Sequence, residues 1–580
     1  MTFRVRPVDR GRAERDPNRR TLYMNIGFGI AVVAAVLILV TVGATTWYGE
    51  HLAAAATIDG QTINKDQFAD RAKVEQFRLQ QLANRVQSEL AAGRLTSAQA
   101  KNRIDSINGQ LDQSTFISSV LEKLIDTQVQ GKLAAAEGVT VADAQVDQRI
   151  LDDKTRKEER HVWVIAVTPT VDTGKTDPTA VQKAAAKKAA DDALAQIKGG
   201  KAFEDVAKAV STDASKTSGG DLGWIDATSS EDPAWQAAMF KLAANGVSDV
   251  ILGEDGTYRI GRVTEIAPAE VDQAWDQKLA DAKVSQESYR AAIRSEAIRQ
   301  GLEDKIVAAD SASGPQRHVE QLSIKTSTTT GSKAIKVRHI LYSPKDDAQG
   351  AANVPATDPS WTQAQLGAQA AYDKLQKDPS QFDAIARAES DEASAKGDDG
   401  TGGKLPYFDE TSEANGLDPD FAKAILADGL QPGQILAPFN SAFGWHVVQV
   451  MYRPPDSDEI AKLKAQAAAG TPFTDLARDF SEGPKSGKGG DLGWVTKGQL
   501  DDRLTAAIFA APANGLSEIV DLPNDGLYLF KVLEEKTATP DKDQLATIKA
   551  NAFQNWYAGK KDAVKITRDL LGPSATTTTG

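Results

Sequence analysis

The chain contains no cysteine, which excludes disulfide frameworks, thiolate metal and iron–sulfur sites, cysteine nucleophiles and a lipid-modified N-terminal cysteine. Histidine is scarce as well. The five histidines, His51, His161, His318, His339 and His446, show no metal-ligand spacing, and no metal or other cofactor is expected. Positive charge is in deficit: Lys+Arg 67 against Asp+Glu 80 gives a net −13. Nothing in that balance would release counterions broadly from a phosphate backbone, so nucleic acid is not an expected partner. With 41% hydrophobic and 25% charged residues, the chain is neither wholly disordered nor a polytopic membrane protein. At about 100–200 residues per domain, 580 residues make roughly four modules.

Uncharged apolar runs of spanning length are missing except for one, Ile26–Thr46, IGFGIAVVAAVLILVTVGATT, flanked by Tyr23 and Trp47–Tyr48. It is about long enough to cross a hydrocarbon core, with aromatic residues at headgroup level. A cleaved signal peptide would carry a shorter apolar core of about 7–15 residues, so an uncleaved anchor is the better reading. Seven arginines precede it (Arg4, Arg6, Arg10, Arg12, Arg15, Arg19, Arg20) against Asp9, Glu14 and Asp16, a net +4. The positive-inside rule then makes residues 1–22 a cytoplasmic basic tail and 23–48 a single transmembrane anchor, with the rest outside.

Comparing the chain with itself reveals three versions of one text. Phe203–Trp224, FEDVAKAVSTDASKTSGGDLGW, aligns without a gap to Phe473–Trp494, FTDLARDFSEGPKSGKGGDLGW. Phe382–Tyr407, FDAIARAESDEASAKGDDGTGGKLPY, needs four extra residues near Gly397–Thr401. Each copy reads as a short helix, apolar at its first, fourth and fifth positions, then a Ser-plus-acid loop, then Gly-Gly leading into a strand. Upstream of the first two copies stand β-type runs, HVWVIAV at His161 and VRHILY at Val337, and an Ala-rich helix. Downstream come helices expected at Ala234–Leu242, Asp420–Leu426 and Asp501–Phe509, a Gly turn (Gly246, Gly433, Gly515), and two short strands ending in YRIGRV, HVVQVM and YLFKVL. The expected order is strand, two helices, strand, helix, strand, strand. The third copy has no separate first strand; it either borrows HVVQVMYRPP or is degenerate.

Apolar spacing near 3.6 marks Lys65–Lys132, Val141–Asp152 and Asp272–Ala309 as helical, one module interrupted by the first repeat. Gln544–Leu571 reads as another amphipathic helix, Ser311–Lys333 as a polar linker, and Gly572–Gly580 as a Thr-rich tail without core-forming content. GPKSGKGG at Gly483 has a phosphate-loop look, but its spacing is one residue short and Gly489 replaces Ser/Thr.

The order RHIL, helix, F-x-x-I/L-A, S-D, GG-x-L, P-x-F, G-x-I, FGWHVVQV resembles a parvulin-type peptidyl-prolyl isomerase domain across about Lys336–Tyr452, and the other two repeats resemble it with gaps. ATIDGQTINKDQF after the anchor and VSQESYRAAIRSEAIRQGL later resemble the helical chaperone module of SurA-like and PpiD-like extracytoplasmic foldases. The resemblance implies an α+β, multidomain chain with three parvulin-like domains, each a four-stranded antiparallel sheet plus helices. The boundaries are 52–156 and 268–312 for the helical module, 157–267 for the first domain, 313–334 for the linker, 335–453 and 454–537 for the second and third domains, 538–572 for the C-terminal helix, and 573–580 for the tail.

The resemblance also implies a histidine pair beneath a proline pocket: His339 and His446, with Glu392 as the loop acid and Asp391 as its fallback. Alternation agrees, since His339 shares a strand face with Val337 and Leu341, and His446 with Val448 and Val450. Pocket walls are expected from Leu405, Leu417, Phe421, Phe439, Ser441 and Phe443. The first repeat keeps His161, Asp213, Gly219–Trp224 and Trp235, but places Tyr258 at the second histidine and Glu231 at an apolar wall. The third keeps Leu492, Leu500 and Leu504, with Gly483 at the acid and Tyr528 at the second histidine; His318, in RHVEQLSI, resembles the remnant of a parvulin first strand and is assigned no role. Both are expected to be weakened or inactive. The implied activity is isomerisation and chaperoning of unfolded or nascent, proline-containing secreted or envelope proteins, with the membrane as anchor and the secretion machinery open as a partner. The rival is a holdase or scaffold that only binds unfolded chains.

Overall fold

The computed structural model describes residues 54–571, apart from 174, 176, 328–330, 398–399 and 413. The expected basic tail, anchor and Thr-rich tail, with His51, lie outside the described residues, and no described helix is long and apolar enough to cross a membrane. The chain divides into two compact units, one running to Gly301 and resuming at Val564, the other Leu302–Ala563.

In the first unit, Asn64 and Thr96 open the helices Lys65–Ala91 and Ser97–Gln110 with capping boxes, each closed by a glutamine three residues on. Gln113–Glu137 and Asp143–Lys154 follow. Val74, Phe77 and Val146 from these helices share one core with Trp275, Leu279, Val284 and Tyr289, which lie beyond the first repeat. Phe77 meets Trp275 edge-on at 5.1 Å, so the interrupted helical text packs as one body. The repeat between them forms β1 (Glu159–Val167), β2 (Asp221–Asp226), β3 (Ile251–Leu252) and β4 (Tyr258–Ala267). These pair antiparallel in the order β2-β1-β4-β3.

The second unit holds the other two repeats, and one is nested in the other. Gly314–Lys325, expected to be linker, is a strand, β5. It is followed by the whole second domain: β6 (Ile335–Tyr342), β7 (Lys404–Phe408), β8 (Phe439–Ser441) and β9 (Gly444–Tyr452), ordered β7-β6-β9-β8. Only then does the chain return to β10 (Asp491–Val495), β11 (Val520–Leu522) and β12 (Gly526–Ala538), which sheet with β5 in the order β10-β5-β12-β11. The third domain therefore has a first strand, and neither the borrowed HVVQVMYRPP nor a missing strand is needed. The linker expectation came from composition. Gln316, Glu320, Gln321 and Ser323 of β5 are polar yet buried, because β5 is a central strand whose backbone bonds are taken on both sides. A second correction concerns the C-terminal helix, which spans Lys542–Asp562 and not Gln544–Leu571; Ile566–Thr567 then pairs with the N-terminal strand Ala56–Ile58 of the first unit.

The repeated text explains the shared architecture. Phe203, Val206 and Ala207, their counterparts Phe382, Ile385 and Ala386, and Phe473, Leu476 and Ala477 are all buried, one apolar stripe on each short helix. The second glycine of each Gly-Gly runs against the first strand of its sheet. A Cβ there would sit 2.4 Å from the carbonyl oxygen of Val164 at Gly220, 2.0 Å from that of His339 at Gly403, and 2.1 Å from that of Gln321 at Gly490. All three glycines also have φ between +77° and +93°, so only glycine fits. In the second domain, helices Pro359–Lys377 and Phe382–Glu389 cover Ile340 and Val447 on one face of the sheet. The helix Pro419–Ile425 covers Val337, Val448 and Val450 on the other.

The nested topology makes a direct prediction. Residues 454–563 alone lack β5, with Val319, Leu322 and Ile324 of the third domain's core, and are expected to be unfolded by circular dichroism. The unit Leu302–Ala563 is expected to melt cooperatively; a folded sheet in the shorter piece would contradict the topology.

Candidate active site

β6 and β9 pair with Leu341 opposite His446 and Val448 opposite His339. The two histidines are thus diagonal neighbours on one sheet face rather than direct partners, still within reach of aromatic side chains. Their rings stack at 5.3 Å with 17° between planes, and Nδ1 of one lies 3.1 Å from Nδ1 of the other. His339 Nε2 bonds a carboxylate oxygen of Glu392, and Ser441 Oγ lies 2.7 Å from His446 Nε2. An ionised carboxylate only accepts, so His339 Nε2 carries a proton. When His339 carries only that proton, its Nδ1 accepts from His446 Nδ1–H, and His446 Nε2 accepts from the Ser441 hydroxyl. All four ring nitrogens are engaged within this chain of bonds.

Burial sets the charge of His446. His339 is 6% exposed and His446 3%. Desolvation, with a smaller contribution from the neighbouring His339, drives the His446 pKa well below the usual histidine value, so this ring is neutral at pH 7. The hydrogen bond from His339 holds the Glu392 carboxyl below its ordinary range, against burial, and Glu392 is ionised. Asp391 faces elsewhere. Its Oδ2 accepts from Ser343 N–H at 2.7 Å and its own N–H donates to Leu341 O, so it fixes the loop and does not touch the pair.

The apolar side of the site is built around Phe421, which meets His446 edge-on at 4.9 Å and His339 at 5.8 Å. Phe439 stacks on His446 at 5.5 Å. Leu405, Leu417 and Phe439 are half-buried against the same core, and Phe443 at the hairpin is 49% exposed. A cavity of about 460 Å³ is lined by Lys336, Lys404, Leu405, Tyr407 and Glu482, with neither histidine of the pair among its lining residues. One positioning residue had gone unnoticed in the sequence. Asp418 caps the helix Pro419–Ile425 by accepting from Phe421 N–H at 3.0 Å, and its second oxygen accepts from Ala442 N–H at 3.1 Å, tying Phe421 to the hairpin. Its signal was the Asp at the N-terminus of the matching helix in each copy, Asp232, Asp418 and Asp501.

The other two domains lack the pair, the third with Gly483 and Tyr528 at the expected positions and the first in a different way from that expected. The amide that meets the Gly-Gly carbonyl belongs to Val164, His339 and Gln321, which are therefore equivalent. Opposite Leu341 stands His446; opposite Ala166 and Ser323 stand Arg259 and Tyr528. The first domain accordingly has Val164 and Arg259 where His161 and Tyr258 were expected, with Asp213 bonded to Ser211 and Ser215. Arg259 is bound to Asp255 at 2.6 Å. The third domain has Gln321, Gly483 and Tyr528. His161 and His318 sit three residues upstream and make a different, mutually matching contact, with Asp221 at 2.9 Å and Asp491 at 2.8 Å. The shared letters R-H drew the alignment, and the three-residue offset was hidden by unequal loops.

Residues 339–452 match a family model described as the PPIC-type PPIase domain, and 148–266 and 457–536 match a second model with the same description. Three segments of the chain thus match models of the PPIC-type PPIase domain. It is similar to the foldase protein PrsA of Bacillus subtilis, 26% identical over 180 residues, 30% of this chain and 55% of that one. It is similar to the chaperone SurA of Nitrosospira multiformis, 25% identical over 333 residues, 51% of this chain and 71% of that one. A crystal structure of PrsA from Bacillus subtilis covers 43% of this chain and 92% of that chain at 20% identity, with a TM-score of 0.16. The chain spans about half the length of the foldase relative it matches.

The neutral His446 predicts a pH dependence. In the unfolded chain the ring titrates near about 6.5, while in the fold its pKa lies far lower, so below about pH 6.5 only the unfolded state gains the proton. Stability of the second domain is then complete above that pH and falls below it, by at most about 1.4 kcal/mol per pH unit for this group. Native-state hydrogen exchange of β9 amides at pH 7.5 and 5.5 measures the loss, and His446→Phe should show a shallower fall.

Proposed function

We propose that this chain is a peptidyl-prolyl cis-trans isomerase and chaperone for unfolded, proline-containing secreted or envelope proteins, with the second domain as its catalytic centre. The hydrogen-bonded pair His339–His446 beside an ionised Glu392 and an apolar wall of aromatic rings carries this reading. The barrier to be lowered is the partial double bond of the X–Pro amide, about 18–20 kcal/mol, and the uncatalysed process takes about tens to hundreds of seconds. No nucleophile is needed, and no ring nitrogen here is left free to act as one.

The chemistry follows from charge. A planar amide places negative charge on its oxygen; a twisted one does so less. An apolar floor that holds the proline ring, with the Glu392 carboxylate beside the carbonyl, disfavours the planar ground state relative to the twisted transition state. His339 orients Glu392 through its Nε2 bond, and the neutral His446 contributes no charge of its own. Asp391 falls outside this machinery. The membrane anchor belongs to the same proposal: the uncharged run Ile26–Thr46 behind an arginine-rich segment supports a single-pass protein with its bulk outside the cytoplasmic membrane. The interrupted helical module, packed as one body, supports the chaperone part through its likeness to the SurA and PrsA relatives.

Isomerisation of a proline peptide by the intact chain tests the proposal. The double variant His339→Ala/His446→Ala should lose about a hundredfold or more in kcat/KM. His161→Ala should leave the rate nearly unchanged, because His161 bonds Asp221 away from Val164. An intact chain without activity that still holds unfolded proteins would favour the holdase.

A further inference from the structure

β6 is buried on both faces from Ile335 to Leu341. One face presents Val337 and His339 to the site. On the other, Lys336 and Arg338 are 1% and 5% exposed, a placement charged side chains tolerate only with partners. Comparison of the three domains shows why those partners come from outside. The position of Lys336 is His161 in the first domain and His318 in the third, and the position of Lys404 is Asp221 and Asp491. There the His–Asp contact is closed within one sheet. The second domain has lysine at both positions, and its sheet cannot neutralise itself.

The third domain supplies what is missing. Lys336 Nζ donates to Glu482 at 2.6 Å, and Arg338 donates to Asp479 at 2.9 Å while its Nε donates to Gln449 of its own sheet. Lys404 Nζ donates to the carbonyl of Arg478 at 2.8 Å, with Asp383 of its own domain 3.6 Å away. Glu482 occupies the place that Asp391 holds in the second domain, next to Gly483 where Glu392 would stand. The loop that lines the site in one domain grips the neighbour's strand in the other.

We propose that Asp479 and Glu482 are positioning residues for His339: they hold β6 from behind, so that its imidazole meets His446 and Glu392. The third domain, without a histidine pair of its own, thereby completes the second. This rests on the isomerase reading of the second domain.

The test uses the full chain carrying Asp479→Asn and Glu482→Gln together, with Glu518→Gln as control because that carboxylate is 92% exposed and pairs with Lys464. The double variant should lose about tenfold or more in kcat/KM with KM nearly unchanged, as misplacement of a site group does. Amide exchange along β6 should quicken and the ring NMR signals of His339 and His446 should shift, while the control matches the parent. Asp479→Glu should recover most of the rate lost in Asp479→Asn. Unchanged rate, exchange and ring signals in the folded double variant overturn the proposal. A parent chain without isomerase activity overturns the enzymatic reading instead, and β6 exchange with the ring signals still decides the positioning role. If the double variant does not fold, Asp479→Asn alone, whose carboxylate is 27% exposed, decides: a loss of about threefold or more sustains the proposal and none refutes it.

Discussion

A single hydrogen bond between two buried imidazoles organises the second domain. It exists because β6 and β9 pair in a register that sets His339 diagonal to His446 on the apolar face. Burial keeps His446 neutral, and a neutral ring can accept from Ser441 while donating to its neighbour. The neighbour can then give its remaining proton to Glu392, which burial alone would push toward protonation. Burial thus sets the state of His446 and the bond from His339 that of Glu392, a fixed negative charge beside an aromatic wall. Buried polar networks of this kind hold their geometry only when every member is satisfied.

The three repeats show what duplication preserved and what it released. The helix stripe, the Gly-Gly approach to the first strand and the Asp cap before the last helix recur in all three, and each stabilises the shared architecture. Positions 339, 392 and 446 are not shared: the other domains hold Val164, Asp213 and Arg259, or Gln321, Gly483 and Tyr528, there. The reverse trade occurs behind β6. The first and third domains keep a self-contained His–Asp contact, whereas the second carries two lysines that reach into the domain within which it is nested.

The order of elements was legible in the repeated text, and the pairing of His339 with His446 was legible through the resemblance to parvulin domains, with which the period-2 alternation agreed. The nesting was not. β5 is polar in text yet central in its sheet, since buried Gln316, Gln321 and Ser323 satisfy side chains and backbone inside the domain, and composition cannot distinguish that from a solvated linker. The equivalence of His161 to His339 failed for a related reason. Identical letters three residues out of register are indistinguishable from true counterparts until the strand's contact with glycine is seen. The role of Asp418 was readable in principle, as an acid at the N-terminus of the same helix in every copy.

The central claim is that the two imidazoles share one proton-ordered contact that senses a proline-containing chain. Two-dimensional nitrogen–proton NMR of the ring nitrogens at pH 7 tests it most directly. The account predicts a neutral His446 protonated at Nδ1, in contact with a His339 ring that carries a proton at Nε2, and signals of both that move when a proline peptide is added. Two rings titrating independently near about pH 6.5, and indifferent to the peptide, would contradict it.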